Sequence, residues 1–200
     1  MKKTNLLTIA AVAALFTGCA SYQANSLSAL DPNYVKNYSE VQGMEIGCKA
    51  YTVDDCFTYL DRNVIAKGYQ PIQLTFRNNT DKRYVFSSRD VSLPCAHADE
   101  VARTVHTSTV GRVAGYSVGG LFVWPLFIPA VVDGIKSSNA NTALDKDFDE
   151  KAKDSFLIAP HSYSKTLIFV PKAHFSPVFD ISLLDEESGR RQVVSLSVVK

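Results

Sequence analysis

Two groups of short β-branched and aromatic runs, separated by one long stretch with helical spacing, predict a mainly β chain with an α insertion. Runs this short, divided by turn-forming residues, suit an antiparallel sandwich or barrel rather than βαβ units. Roughly eight are present, enough for an immunoglobulin-like antiparallel β-sandwich carrying an inserted helical hairpin. A composition of 46% hydrophobic and 20% charged residues can build the core of one domain, placed at 44–200 with its helical, apolar insertion at about 98–152.

In the first group, "GCKAYT" from Gly47 reads as a short strand. "DDCFTYLDRNVIAKG" then sets Phe57, Leu60, Val64 and Ile65 at helical spacing, with Asp54 or Asp55 as cap and Gly68 as stop. In "QPIQLTFRNN", Ile72, Leu74 and Phe76 alternate with Gln73 and Thr75, the period of a half-buried strand, closed by the turn signal "NNTD". "RYVFSS" and "DVSLP" continue as strands. The second group comprises "DSFLIAP", "KTLIFVP", "PVFDISLLD" and "RQVVSLSVV", divided by "HSYS", "KAHFS" and "EESGR".

Between the groups, Ala98 to Ala152 reads as helical. Asp99 and Glu100 suit a helix N-terminus, and Val101, Val105 and Val113 follow a broadly helical pattern that fades at Gly119 and Gly120. Helical spacing resumes after "LFVWPLFIP", with Val131, Ile135 and Phe148. Pro125 and Pro129 disfavour one continuous helix, because proline removes a backbone donor and clashes with the preceding turn. Two helices joined by an apolar bend are expected.

The first residues direct export. Lys2 and Lys3 precede an apolar run from Leu6 to Phe16, which ends in small residues at Gly18 and Cys19. That is the layout of a cleaved secretory leader, residues 1–18. Its end, "LFTGC" from Leu15 to Cys19, resembles the lipobox of bacterial lipoproteins, in which a peptidase cuts before a diacylated cysteine. The family usually places leucine three positions before the cysteine; here Phe16 stands there and Leu15 lies one place earlier. The resemblance implies a diacylglycerol and palmitate anchor on Cys19, and Ala20 and Ser21 after it, in place of aspartate, imply transfer to the outer membrane. Residues 19–43, rich in Ser, Asn and Tyr, read as a lipidated N-terminus whose first half is a flexible tether.

Charge excludes one class of partner. The formal net charge is +1, and loss of Lys2 and Lys3 with the leader takes it to −1, so no basic excess exists for nucleic acid to recognise. Three cysteines remain in an oxidising compartment: Cys48, Cys56 and Cys95. Cys48 with Cys56 closes the shortest loop, which would stabilise by roughly 2–3 kcal/mol; the other pairings stay open, and a leftover Cys95 suits a buried apolar position.

The segment "GRVAGYSVGGLFVWPLFIPAVVDG", Gly111 to Gly134, offers three readings. From Val113 to Val132 it carries no charge, about the length a helix needs to cross a bilayer. Gly119, Gly120, Pro125 and Pro129 argue against one spanning helix, and a lipid on Cys19 already supplies an anchor. "GYSVG" matches the G-x-S-x-G elbow of serine hydrolases, with Ser117 as nucleophile and Asp133 or Asp147, then His161 or His174, in the right chain order. The context opposes it: no buried strand precedes Ser117 and no amphipathic helix follows. Gly111, Gly115 and Gly119 have the spacing of close helix packing. Leu121, Phe122, Trp124, Phe127 and Ile128 form an apolar tip suited to a membrane or a protein partner.

Other chemistry is weaker. Cys95, His97, Asp99 and His106 lack a metal-ligand spacing, His161 and His174 fall in exposed turns, and Asp145, Lys146, Asp147, Glu150, Lys151 and Lys153 read as a solvated helix face. No phosphate-cradling loop or internal repeat is found, and no cofactor is implied. The reading is an envelope lipoprotein with a structural or interaction role, its partners the membrane and an envelope protein or a second copy of itself. The alternative is an envelope serine esterase using Ser117.

Overall fold

The computed structural model describes residues 21–30, 38–41, 43–107 and 127–198, the side chains of 38–41 and 127–137 excepted. Their order is β1 (Tyr38–Val41), β2 (Met44–Ala50), α1 (Val53–Leu60), β3 (Tyr69–Asn78), β4 (Tyr84–Ser87), α2 (Ala98–Thr104), α3 (Phe127–Lys151), β5 (Ser155–Ile158), β6 (Tyr163–Pro171), β7 (Val178–Asp185) and β8 (Arg191–Ser197). The chain is mainly β, as the runs predict. Two four-stranded antiparallel sheets form, ordered β1-β2-β3-β6 and β5-β4-β7-β8.

Alternation sets which side chains meet. Met44, Ile46 and Cys48 of β2, Ile72, Leu74 and Phe76 of β3, and Ile168 and Val170 of β6 join one buried cluster with Tyr84 and Phe86 of β4, Phe179, Ile181 and Leu183 of β7, and Val194 and Leu196 of β8. These positions recur every second residue, the period that sends one face of each strand to a shared interior. Three phenylalanines tie the two sheets together: Phe76 and Phe86 lie 5.2 Å apart between ring centroids, Phe86 and Phe156 5.4 Å, and Phe76 and Phe156 5.9 Å.

Strand β3 departs from the half-buried pattern. Gln73 and Thr75 are as buried as the inward residues, at 0% and 5% exposure. The outer face of the first sheet is covered, so a strand with polar alternation is enclosed on both sides. Each polar group there is hydrogen-bonded, as burial requires.

Boundaries shift where capping chemistry outweighs periodicity. Helix α1 begins after Thr52, whose hydroxyl accepts from the Asp55 N–H at 3.1 Å while Asp55 accepts from the Thr52 N–H at 2.9 Å, a capping box. Asp55 is thus the reciprocal partner, not the cap. The helix stops at Asp61 in the left-handed region (φ 51°), and Val64 and Ile65 enter a separate 3₁₀ turn that ends at Gly68 (φ 95°). "DVSLP" leaves the 3₁₀ turn Ser88–Asp90 at its first residue and makes one isolated bridge from Val91 to Ile181 instead of a strand. Helix α2 ends at Thr104, short of the glycines, and α3 begins at Phe127 with Pro129 in its first turn. Proline is tolerated there because the first helical N–H groups lack intrahelical acceptors anyway.

The chain divides into two compact units, 1–22 with 107–143, and 23–106 with 144–200. Both sheets belong to the second. Within the first, Thr107 and Asn141 exchange two hydrogen bonds, Thr107 N–H to Asn141 Oδ1 at 2.9 Å and Asn141 Nδ2 to the Thr107 carbonyl at 3.1 Å.

The "NNTD" turn has a buried organiser. Asn78 donates through Nδ2 to the carbonyls of Lys82 (2.7 Å) and Ala159 (2.9 Å), and its Oδ1 accepts from the Thr80 N–H (3.0 Å) and hydroxyl (2.7 Å). Below it, the buried carboxylate of Asp185 accepts from Lys82 Nζ at 2.9 Å and from the N–H groups of Glu187 and Ser188 at 3.1 and 3.2 Å. The Lys82 ammonium first, and these N–H groups with it, hold Asp185 well below the ordinary carboxylate range. As pH falls below about 4, where an unfolded aspartate protonates, the unfolded chain binds the proton first. The stabilisation is therefore complete above that pH and is lost progressively below it. Urea unfolding between pH 2 and 6 should show this loss, and Asp185→Asn should flatten it.

Candidate functional site

The outer face of the first sheet is where the chain downstream of Cys19 meets the fold. Composition marks 19–43 as a tether, yet Gln23–Leu30 lies within the second unit and is held in place. The Gln23 N–H donates to Asp61 Oδ2 at 3.2 Å, and the Asn25 N–H to the Thr58 carbonyl at 3.0 Å, so the chain runs beside α1. Leu27 is buried, and its carbonyl accepts from Lys165 Nζ. The Ser28 carbonyl accepts from Gln73 Nε2 at 2.7 Å, and Ser28 Oγ accepts from the Tyr59 hydroxyl at 3.0 Å. A polar segment without periodicity reads as tether because its partners, Gln73 and Lys165, lie on strands far away in sequence.

The same layer fixes α1. The Tyr51 hydroxyl donates to Gln73 Oε1 at 2.7 Å, and the Tyr51 and Tyr59 rings lie 5.5 Å apart. Burial, then the nearby Tyr59, Asp55 and Cys56, raise the Tyr51 phenol far above its ordinary range, so it serves as a neutral donor. At the C-terminal end of α1, Lys151 Nζ donates to the Tyr59 carbonyl at 2.7 Å and to Asp147 at 2.6 Å. Lys151 is buried, in contrast to the solvated face expected of that charge run. Its neighbour Phe148 stacks on Phe169 of β6 at 5.5 Å and 14°, which turns this end of α3 inward. A buried aromatic one turn before a lysine was the signal available in the sequence. Gly47 has room for no more than hydrogen: a Cβ there would stand 2.7 Å from Thr75 Oγ1.

The expected Cys48–Cys56 bridge is absent. Cys48 shares the inner face of β2 with Met44 and Ile46, whereas Cys56 is on α1, on the other side of the same sheet. A short loop in sequence therefore leaves the two sulfurs on opposite faces. All three described cysteines are thiols. Burial pushes Cys48 up to about 12, Cys56 to about 11, and Cys95, with Asp154 adding to the effect, to about 12. Such groups are protonated and unreactive at neutral pH.

The histidines and acids weighed as ligands are paired separately. His97 Nδ1 lies 3.0 Å from Asp154, His106 Nε2 2.6 Å from Asp145, His161 Nε2 2.8 Å from Asp81, and Arg103 3.0 Å from Asp99. Among the described residues no three His, Cys, Asp or Glu side chains converge as a metal site. A cavity of about 410 Å³ lies beside the His97–Asp154 pair, bordered by Asp99, Asp149, Glu150 and Lys153. Ser155 also borders it, but its hydroxyl donates to the Phe86 carbonyl at 3.0 Å instead of to His97.

Cys19, Gly111, Gly115, Ser117, Gly119, Leu121, Phe122 and Trp124 lie outside the described residues. Phe127 and Ile128 open α3 as backbone. Among the described residues no helix is long and apolar enough to cross a membrane. No protein-family model matches the chain, and the search of curated proteins returns no match either.

Proposed function

We propose that this chain is a lipid-anchored lipoprotein of the bacterial cell envelope, at the outer membrane, whose immunoglobulin-like sandwich works by contact with the membrane or an envelope partner. The observation that carries the reading is the leader that ends in "LFTGC", with the chain after Cys19 bound to the domain within four residues. A cysteine so placed makes sense as an attachment point for a folded domain. Strand order supports the sandwich. With β2, β3 and β6 taken as A, B and E, and β5, β4, β7 and β8 as C′, C, F and G, the strand pairing is compatible with an immunoglobulin order, with β1 as an added edge strand beside A. In that order α2 and α3 fall between C and C′, and the apolar residues Leu121, Phe122, Trp124, Phe127 and Ile128 belong to this insertion as a second contact surface.

Fractionation of cells tests the anchor. The parent is expected in the membrane fraction with acyl label incorporated, and Cys19→Ala in the soluble or unprocessed fraction without it. Acyl label persisting in Cys19→Ala would overturn the assignment. The serine esterase reading makes the opposite claim about Ser117: a serine-reactive probe would label the mature protein, and Ser117→Ala would abolish ester hydrolysis. On the contact reading that variant is nearly silent, since alanine is small and favours helix.

A further inference from the structure

We propose that Val53 and Phe57, on the open side of α1, form the surface by which the domain rests on the leaflet that holds the acyl chains of Cys19. The inference rests on the lipid-anchor reading and adds an orientation to it. On α1, Cys56 and Leu60 are buried, while Phe57 is 54% exposed and Val53 41%. Residues four apart on a helix stand side by side, so the two make one apolar spot. By itself such a spot has no assigned occupant. Its position relative to the anchor supplies one.

Near the start of the incoming chain, Gln23 is bound at Asp61, the residue that ends α1, and Asn25 is bound at Thr58, next to Phe57. Gln23 is the fourth residue after Cys19, and a fully extended chain of four residues reaches at most about 14 Å. Phe57 is one helical turn from Asp61, about 6 Å along the axis. Acyl chains on Cys19 therefore bring the C-terminal end of α1 close to the headgroups, whatever path the connecting residues take. Of the other large exposed hydrophobic side chains, Leu157, Val178 and Val193 are on strands of the second sheet, while Tyr163, at the start of β6, is two residues from Lys165, which holds the Leu27 carbonyl, farther along the chain from Cys19 than Gln23.

Helix α1 is also stiff enough to orient the domain. Its N-terminus is closed by the Thr52–Asp55 capping box, its C-terminal end by Lys151, and its inner side by the Tyr51–Tyr59 contact. A short tether raises the effective concentration of lipid at the spot, so a small apolar contact suffices where an untethered domain would bind weakly. The surface is thus a docking face, and its occupant is lipid.

The test uses the acylated full-length protein in zwitterionic phospholipid vesicles, with a nitroxide on Asp54→Cys, an exposed position between Val53 and Phe57, or on Val193→Cys. Cys48 and Cys56 are buried, and Cys95, which is partly exposed, is replaced by serine in both labelled proteins. At position 54 the ratio of collisions with oxygen to collisions with an aqueous nickel chelate should be several-fold higher than at 193, and Phe57→Ser should return it to the aqueous value. Equal aqueous ratios at both sites, with the acyl chains verified by mass, would refute the docking and leave the anchor intact. Shielding from both quenchers at position 54 would refute it in favour of a second copy of the chain. Absence of acyl chains on Cys19 would remove the anchor, and the docking with it.

Discussion

Replacing Phe86 with alanine is expected to destabilise the domain by about 3–5 kcal/mol, the range for removing a buried aromatic side chain. Phe86 is fully buried and touches both Phe76 of the other sheet and Phe156 of the neighbouring strand. Alanine would leave a cavity walled by two rings that are themselves held by strand register, Phe86 being paired with Phe156 across the β4–β5 ladder. Rings so constrained collapse poorly into a void, which places the cost high in the range. Val193→Ala, on the exposed face of β8, should change stability by less than about 1 kcal/mol. Urea midpoints for the two variants at constant slope make the comparison. Equal small losses would show that the sheets do not depend on this cluster.

Lys151→Ala is expected to cost about 2–3 kcal/mol. The ammonium sits on the Tyr59 carbonyl at the C-terminal end of α1, where the helix dipole favours a cation and the last carbonyls lack intrahelical donors. Removing it leaves that carbonyl unsatisfied, a loss of about 1–3 kcal/mol, and strips the lysine stem from the covered face of the sheet. Asp147 is a quarter exposed and keeps water as an alternative partner, so the full penalty of an orphaned buried charge does not apply. Lys151→Met keeps the stem and loses the donor. It should remain at least about 1 kcal/mol less stable than the parent; a methionine variant as stable as the parent would mean the hydrogen bond contributes nothing.

Phe86 and Lys151 differ in how far the amino-acid sequence reveals their roles. Phe86 belongs to a run whose alternation names the inward side chains directly, and the same holds for Ile72, Leu74 and Phe76. Period-2 patterning sees one face of a sheet. It is blind to the other face when that face is enclosed by polar groups, as with Gln73, whose burial depends on Tyr51 and Ser28, 22 and 45 residues away. Lys151 fails for the same reason: its neighbours in sequence are charged, while its partner in space is α1. Loop length favours a Cys48–Cys56 bridge, but an inward strand position and the helix packed outside that strand lie on opposite sides of a sheet. Gln23–Leu30 is held by backbone hydrogen bonds to distant side chains, which leave no trace in composition. Capping, by contrast, was local and nearly legible, since Thr52 precedes Asp55 by the three residues a capping box requires.

The proposed anchor depends on Cys19. Mass analysis of the N-terminal peptide of the protein taken from cell membranes measures it directly. The expected product begins at Cys19, without residues 1–18, and carries a diacylglyceryl group on its sulfur and an acyl group on its amine. An N-terminus at another residue, or an unmodified Cys19 in the mature protein, would contradict the lipid anchor and the membrane-facing orientation built on it.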